Sequence, residues 1–275
     1  MIGQAKLQSR VVQLVNNGTF PRFSIIVGAQ GSGKKTFAEE IAKMFETRQE
    51  AYRHKCPDVK IETVRSVIEQ AYQVMNTTIY ILPDSDTMSN AAKNALLKVT
   101  EEPPNTAYFI MTLEDENNTL ETIRSRGTVF HMDRYTPDEI FEYYWIVGEM
   151  PNDAELVREI CDTPGEVRRC IEMCSGTIQT FYDYVQLVVD NIAEVSLANA
   201  FKMPNKIALK DNANGYDQRL FWKAFIKVCA ERSETDSRYA EWSIITSKYL
   251  SRLNSKSVNR AMLMDSWILA IRGLL

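Results

Sequence analysis

The stretch of this 275-residue chain with the plainest capacity for chemistry is Gly28-Ala29-Gln30-Gly31-Ser32-Gly33-Lys34-Lys35-Thr36. Glycines at 28, 31 and 33 let the backbone turn its N–H groups inward and approach phosphate oxygens, and Lys34 can reach the outer phosphates of a nucleotide. The spacing G-x-x-x-x-G-K is complete. The next position, which supplies a hydroxyl to Mg²⁺ in that pattern, is Lys35. A hydroxyl comes one residue late, at Thr36, and on a helix that step turns the side chain by about 100°. The loop has the parts to touch nucleotide and lacks the residue that fixes the metal. A Gly-rich strand-to-helix turn that binds nothing satisfies the same spacing.

A second constellation bears on hydrolysis, which needs an acidic pair at the end of a neighbouring strand: one carboxylate for the metal, one for the attacking water. Here the apolar run Ile79-Tyr-Ile-Leu82 leads into Pro83-Asp84-Ser85-Asp86. Pro83 stands where the metal-holding carboxylate is expected, Asp84 is the only candidate base, and Asp86 falls beyond reach. The same four residues are also a good turn and helix-start sequence.

The elements that must position these residues alternate in the first half. Apolar strands are expected at 23–27, 78–82, 107–112 and 128–132, with a minor strand ending at Lys60-Ile61. Helical faces run between them: Phe37, Ile41, Ala42 and Phe45 after the loop, then Val64, Val67, Ile68, Ala71 and Tyr72 within 62–75. A third comprises Met88, Ala91, Ala92, Ala95, Leu96 and Val99, and Pro103-Pro104 ends it because neither proline can donate the helical hydrogen bond. Such alternation predicts an α/β sheet. From Thr136 onward the signals are helical only. Thr136-Pro-Asp-Glu139 and Thr163-Pro-Gly-Glu166 read as capped helix starts, Asn152 as a cap between them, and Gly176 as a helix end. Residues 136–176 thus form a small three-helix unit. Residues 177–275 read as a further all-helical domain, its helices separated at Pro204-Asn205, Asn212-Ala-Asn-Gly215 and Ser233-Glu-Thr-Asp236.

Composition excludes several classes. At 45% hydrophobic and 25% charged, the chain is an ordinary globular one, with no apolar stretch long enough to span a bilayer. Met1-Ile2-Gly3-Gln4 has neither the basic nor the apolar region of a signal peptide, which argues for the cytoplasm. Cys56, Cys161, Cys170, Cys174 and Cys229 include no C-x-x-C pair and are expected as reduced thiols; His54 and Cys56 lack the two further ligands zinc would need, so no zinc is expected. A net charge of −4 gives no global attraction to nucleic acid.

The stretch Asp86-Thr-Met-Ser-Asn-Ala-Ala-Lys-Asn-Ala-Leu-Leu-Lys-Val-Thr-Glu-Glu-Pro-Pro104 resembles the corresponding segment of bacterial clamp-loader AAA+ subunits. Asn94-Ala-Leu-Leu-Lys98 with Glu101-Glu-Pro-Pro104 is its most specific part. Thr122-Ile-Arg-Ser-Arg126 resembles the family's Ser-Arg-Cys motif with Gly127 replacing Cys, Ile2-Gly-Gln4 is similar to an N-terminal Gly-Gln box, and Gly165-Glu-Val-Arg168 to the sensor-2 helix of the lid. Among such subunits the likeness is to delta-prime of DNA polymerase III or a phage-encoded version. The four-cysteine zinc module common in the family is missing, only Cys56 lying in that interval.

The resemblance implies an α/β P-loop AAA+ domain with a parallel sheet (1–135), a three-helix lid (136–176) and an all-α collar for oligomerisation (177–275). It implies that Gly28 to Thr36 hold ATP or ADP, with or without Mg²⁺, and that Arg168 faces that nucleotide. Arg126, beside Ser125, would act in trans as an arginine finger on a neighbouring ATPase subunit. The implied partners are other AAA+ subunits of a hetero-oligomeric ring, a sliding clamp and, through the assembly, primer–template DNA, with no membrane. Thr112 and Glu114 fall near the sensor-1 position, and Lys93 and Lys98 on the helix expected to face DNA. An active ATPase motor, with Asp84 as base and Thr36 or water completing the Mg²⁺ shell, is the alternative; a small-molecule phosphotransferase explains neither Ser125-Arg126 nor the helical tail.

Overall fold

The structure, a computed structural model, describes residues 2–49, 51–147, 154–173, 178–208, 216–253 and 258–274. It divides into two compact units, Met1–Tyr135 and Thr136–Leu275. The first unit runs α1 (Ala5–Asn16), β1 (Phe23–Val27), α2 (Lys34–Gln49), β2 (Tyr52–Lys55), α3 (Ile61–Gln73), β3 (Thr78–Leu82), α4 (Asn90–Glu101), β4 (Ala107–Leu113), α5 (Glu121–Arg124) and β5 (Thr128–His131). All pairings are parallel, in the order β2-β3-β4-β1-β5. A parallel sheet needs cover on both faces, and β1, β3 and β4 are buried along their whole length.

Alternate residues of these strands feed two cores. Phe23, Ile25, Tyr80, Leu82, Phe109 and Met111 pack with Val64 and Val67 of α3 and Ala92, Leu96 and Val99 of α4. Ile26, Ile79, Ile81, Ile110 and Phe130 pack with Leu7, Val11 and Val15 of α1 and Phe37, Ile41 and Phe45 of α2. The helical faces read from the sequence are thus the buried or half-buried ones, except that Ala91 is exposed and so is Tyr72. Its hydroxyl donates to the Glu102 carbonyl at 3.0 Å.

The minor strand is a correction. It lies at Tyr52–Lys55, whereas Lys60 is the N-cap of α3 and Ile61 its first residue. As an edge strand carrying Arg53, His54 and Lys55 it has no apolar alternation to announce it. Its partner β3 specifies it instead, by backbone pairing from Tyr52↔Thr78 to Lys55↔Ile81.

The second unit contains α6 (Pro137–Val147), α7 (Ala154–Ile160), α8 (Pro164–Met173), α9 (Gln179–Asn191), α10 (Leu197–Ala208), α11 (Tyr216–Arg232), α12 (Ser237–Arg252) and α13 (Arg260–Ile271). Thr136 N–H donates to Glu139 Oε2 at 2.8 Å and Glu139 N–H to Thr136 Oγ1 at 3.2 Å, the reciprocal cap expected there. Asn152, Cys174, Gly176 and the separator at 212–215 lie outside the described residues. Pro204 is a second correction, for it sits inside α10. Ala200 and Pro204 are buried one turn apart, so the apolar face continues across the missing N–H donor. Trp222 and Trp267, ring centres 5.9 Å apart, anchor a core between α11 and α13, and Trp267 Nε1 donates to Thr246 Oγ1 of α12 at 3.0 Å. Among the described residues no helix is long and apolar enough to cross a membrane.

At the second expected cap the glutamate takes another partner. Glu166 N–H donates to Thr163 Oγ1 at 3.3 Å, but its carboxylate accepts from Asp162 N–H at 2.7 Å and from Lys223 Nζ of α11 at 2.8 Å. Glu166 is 2% exposed. Burial alone lowers the Lys223 pKa, yet Glu166 and Asp162 outweigh it and hold the ammonium above its ordinary value of 10.5. The stabilisation from this pairing is therefore fully present below the unfolded lysine pKa and lost as the pH rises through the higher folded value. Lys223→Met should leave Glu166 buried without a cation and cost about 3–5 kcal/mol by urea unfolding at pH 7. The deficit should shrink in strongly alkaline buffer, and a variant as stable as the parent at pH 7 would deny the pairing this role.

Candidate nucleotide loop and arginine turn

β1 ends at Val27, and Gly28 N–H donates to Leu113 O of β4 at 3.1 Å, so the loop leaves the sheet's C-terminal edge directly. Gly31 and Gly33 have φ of 78° and 90°, conformations that a side chain disfavours. Gly28 is required by space: a Cβ there would stand 2.8 Å from Ser32 Oγ and 3.0 Å from Met132 Cβ. Ser32 Oγ lies 3.6 Å from Met132 Sδ, and Tyr135 Oη donates to Ser32 O at 2.7 Å, so the segment after β5 clamps the loop's crest. That segment is held in turn by Gln4. Its Nε2 donates to Asp133 O at 2.7 Å and its Oε1 accepts from Asp133 N–H at 2.8 Å, pinning the Gly-Gln stretch to the end of the unit.

α2 begins at Lys34, so the free N–H groups and partial positive charge of a helix N-terminus open at the loop. Lys34 is buried and folds back, donating to Gly28 O at 2.8 Å and Ala29 O at 2.9 Å. Burial lowers its pKa below the ordinary 10.5, opposed by Glu114, Asp86 and Asp84 nearby. Lys35 is exposed, and its Nζ lies 2.5 Å from Asp84 Oδ2. Ala29 is exposed, Gln30 half-buried, and Thr36 exposed.

Asp84 has left-handed backbone, φ 46° and ψ 42°, which aspartate tolerates better than most residues. Its N–H donates to Thr112 Oγ1 at 3.0 Å and its carbonyl accepts from Thr87 Oγ1 at 2.9 Å. The buried Thr112 hydroxyl thus positions Asp84. Asp86 is spent on structure, accepting from Glu114 N–H at 2.7 Å and Asn118 Nδ2 at 2.9 Å to fix the turn after β4. Lys93 is a correction to the DNA-facing expectation: it is buried and donates to Asn118 O. Lys98 is exposed, its ammonium 5.6 Å from the Tyr72 ring centre.

These residues do not fit a divalent cation. Mg²⁺ takes near-octahedral oxygen ligands at about 2.0–2.1 Å. Pro83 has no side-chain oxygen, Asp86 is committed to the β4 turn, and Asp84 is paired with an ammonium that occupies the hydroxyl's place in sequence.

Ser125 and Arg126 lie between α5 and β5. Ser125 Oγ donates to Thr122 O at 3.2 Å; Arg126 Nη1 donates to Thr122 O at 2.7 Å, and its Nη2 meets Glu101 Oε1 at 2.7 Å. This pair is open to solvent and contributes under about 1 kcal/mol. Ser24 aligns with Thr128 and Val27 with His131, so Arg126 lies level with Arg22 at the sheet's N-terminal edge. Six residue steps, spanning the length of β1, separate that level from Gly28, roughly 20 Å. Arg126 therefore does not reach a ligand in its own loop. In the second unit Arg168 is exposed, its Nε donating to Tyr143 Oη at 2.5 Å.

Residues 53–136 match the family model described as DNA polymerase III, delta subunit. The chain is 25% identical to DNA polymerase III subunit gamma of Buchnera aphidicola subsp. Schizaphis graminum (strain Sg) over 52% of this chain and 47% of that protein. It is 33% identical to DNA polymerase III subunit delta' of Yersinia pestis over 32% and 26%. The chain thus spans less than two thirds of the length of either relative. A solved DNA polymerase III gamma subunit-related protein from Thermotoga maritima superposes over 97% of this chain and 98% of that one, with a TM-score of 0.53 at 13% identity. The fold is that of AAA+ proteins, and the chain resembles AAA+ clamp-loader subunits, with relatives of both the gamma and the delta-prime kind.

The matched segment includes Gly127, where the family motif has Cys. A Cβ at this position would stand 3.0 Å from Ile25 Cδ1 and 3.1 Å from Phe23 Cδ1, so β1 side chains fill the space a cysteine would use. Gly127→Ala should cost about 1–3 kcal/mol from overpacking. Combined with Ile25→Val, which removes the nearest atom, it should cost less than the sum of the two single changes in a denaturant double-mutant cycle. Strict additivity would show that the contact is not limiting.

Proposed function

We propose that this chain is a delta-prime-like subunit of a sliding-clamp loader, one that holds ATP or ADP without efficient hydrolysis and lends Arg126 to an adjacent ATPase subunit. The observation that carries the reading is the Lys35–Asp84 ion pair, which engages the only candidate base with the residue that replaces the metal's hydroxyl ligand. With Pro83 in the place of the metal-holding carboxylate as well, an attacking water would have no metal-held phosphate to meet, whichever partner Lys35 takes. Arg126 stands at the far edge of the sheet, held by a solvent-exposed pair with Glu101 and a hydrogen bond to the Thr122 carbonyl, which supports a role toward a neighbour's nucleotide. In that role a guanidinium stabilises charge developing on the γ-phosphoryl group.

The rest of the reading follows from the resemblance: 136–176 as lid, carrying Arg168 as its nucleotide-reading arginine, and 177–275 as collar in a hetero-oligomeric ring. The ring would act in the cytoplasm on a sliding clamp and primer–template DNA. A motor subunit is the second reading, favoured by the 22% identity to subunit gamma of Buchnera aphidicola subsp. Acyrthosiphon pisum (strain APS) across 77% of this chain. The two separate on purified protein, because turnover sensitive to Lys34→Ala belongs to a motor and binding without turnover to the ring subunit. In a loader reconstituted with its ATPase neighbours, Arg126→Ala should lower turnover at the adjacent site by about 10³–10⁵ while assembly is unchanged. An undiminished DNA-stimulated rate in a correctly assembled ring would remove the finger assignment.

A further inference from the structure

We propose that nucleotide at residues 28–36 is bound without a divalent cation, the Lys35 ammonium supplying the charge that a metal ion would bring to the phosphates. The inference rests on the nucleotide-binding reading above and gives that site its mode of recognition. A metal at such a loop does two electrostatic jobs: it offsets the negative charge of the phosphates, and it bridges them to protein oxygens. This loop is equipped for the first job and stripped for the second. Lys34 and Lys35 place two ammonium groups on consecutive residues of the first turn of α2, at the positive end of a helix. The bridging oxygens are missing, since Pro83 has none, Asp86 holds the β4 turn, and Thr36 is turned by about 100° from the position of Lys35. A divalent ion at the empty ligand position would also approach an ammonium, which repels it at any effective dielectric.

The Lys35–Asp84 pair then has a defined role. Both side chains are half-exposed, at 48% and 57%, so the contact is weak and exchangeable. In the structure Asp84 pairs with Lys35, and Lys34 donates to the loop's own carbonyls at Gly28 and Ala29. Arriving phosphates offer both ammonium groups stronger, doubly charged partners. Asp84 is thus a competitor of the phosphates for Lys35. The competition predicts opposite signs for the two partners: removing the lysine weakens binding, and neutralising the aspartate strengthens it. A metal-binding carboxylate would behave the other way, because Asp84→Asn would then lose a ligand.

The test is the affinity of the purified full chain for fluorescent ADP and ATP analogues, in excess EDTA and in millimolar Mg²⁺. Affinity in EDTA should equal or exceed that in Mg²⁺, since the metal competes for the phosphates. In EDTA, Lys35→Ala should weaken binding about tenfold or more and Lys35→Arg should preserve it, while Asp84→Asn should tighten binding in Mg²⁺ as well as in EDTA. All three substitutions sit on exposed side chains, and coincident thermal unfolding curves would show that the fold is kept. Affinity at least tenfold higher in Mg²⁺ than in EDTA would overturn this inference and leave the nucleotide reading intact, as would weaker binding by Asp84→Asn. Failure to bind either analogue in either buffer would overturn both.

Discussion

Parallel pairing throughout the sheet is the constraint on which the first unit's chemistry depends. Because β1 and β5 run the same way, the connection that leaves β1 and the turn that enters β5 must emerge at opposite edges. Gly28 to Thr36 occupy one edge and Ser125-Arg126 the other. The separation is a property of strand direction and needs no side-chain contact to maintain it. One chain can therefore carry a glycine-rich turn at one edge of its sheet and an exposed arginine at the other.

Local order around the loop comes from long-range ties. Gln4 and Asp133 exchange two hydrogen bonds across 129 residues, Tyr135 holds Ser32, and Met132 fills the space beside Gly28. Together they make the loop's shape a consequence of how the unit closes rather than of the glycines alone. Asp86 does similar work on the other side, binding the turn after β4 to the turn after β3.

Most of the fold could be read from the chain because its signals are local. Four strands declare themselves by apolar runs, helix starts by Thr136 and Thr163, and the turn from β1 to α2 by its glycines. What escaped was of another kind. β2 is polar and exists because β3 offers it a backbone edge; Pro204 stays helical because its ring lies on a buried face; Lys93 looks like a DNA contact until Asn118 folds over it. Lys35 and Asp84 were each visible as departures from a motif. Their pairing, across 49 positions, required the register of β1, β4 and β3 to bring the two turns together. Residue identity pointed to the site, and only tertiary structure gave it a sign.

The strand order also bears on how the molecule is made. Both sheet neighbours of β1, β4 and β5, are translated after it: 86 positions separate Phe23 from Phe109, its partner in the β1–β4 register. During synthesis Phe23–Val27, wholly apolar but for Ser24, must wait without a strand on either side while β2 and β3 emerge. Loop closure over such distances is slow compared with local helix formation. The strand that leads into the glycine-rich turn is thus enclosed only when two later strands have formed, so the shape of that turn is settled late in folding although its sequence signal is local.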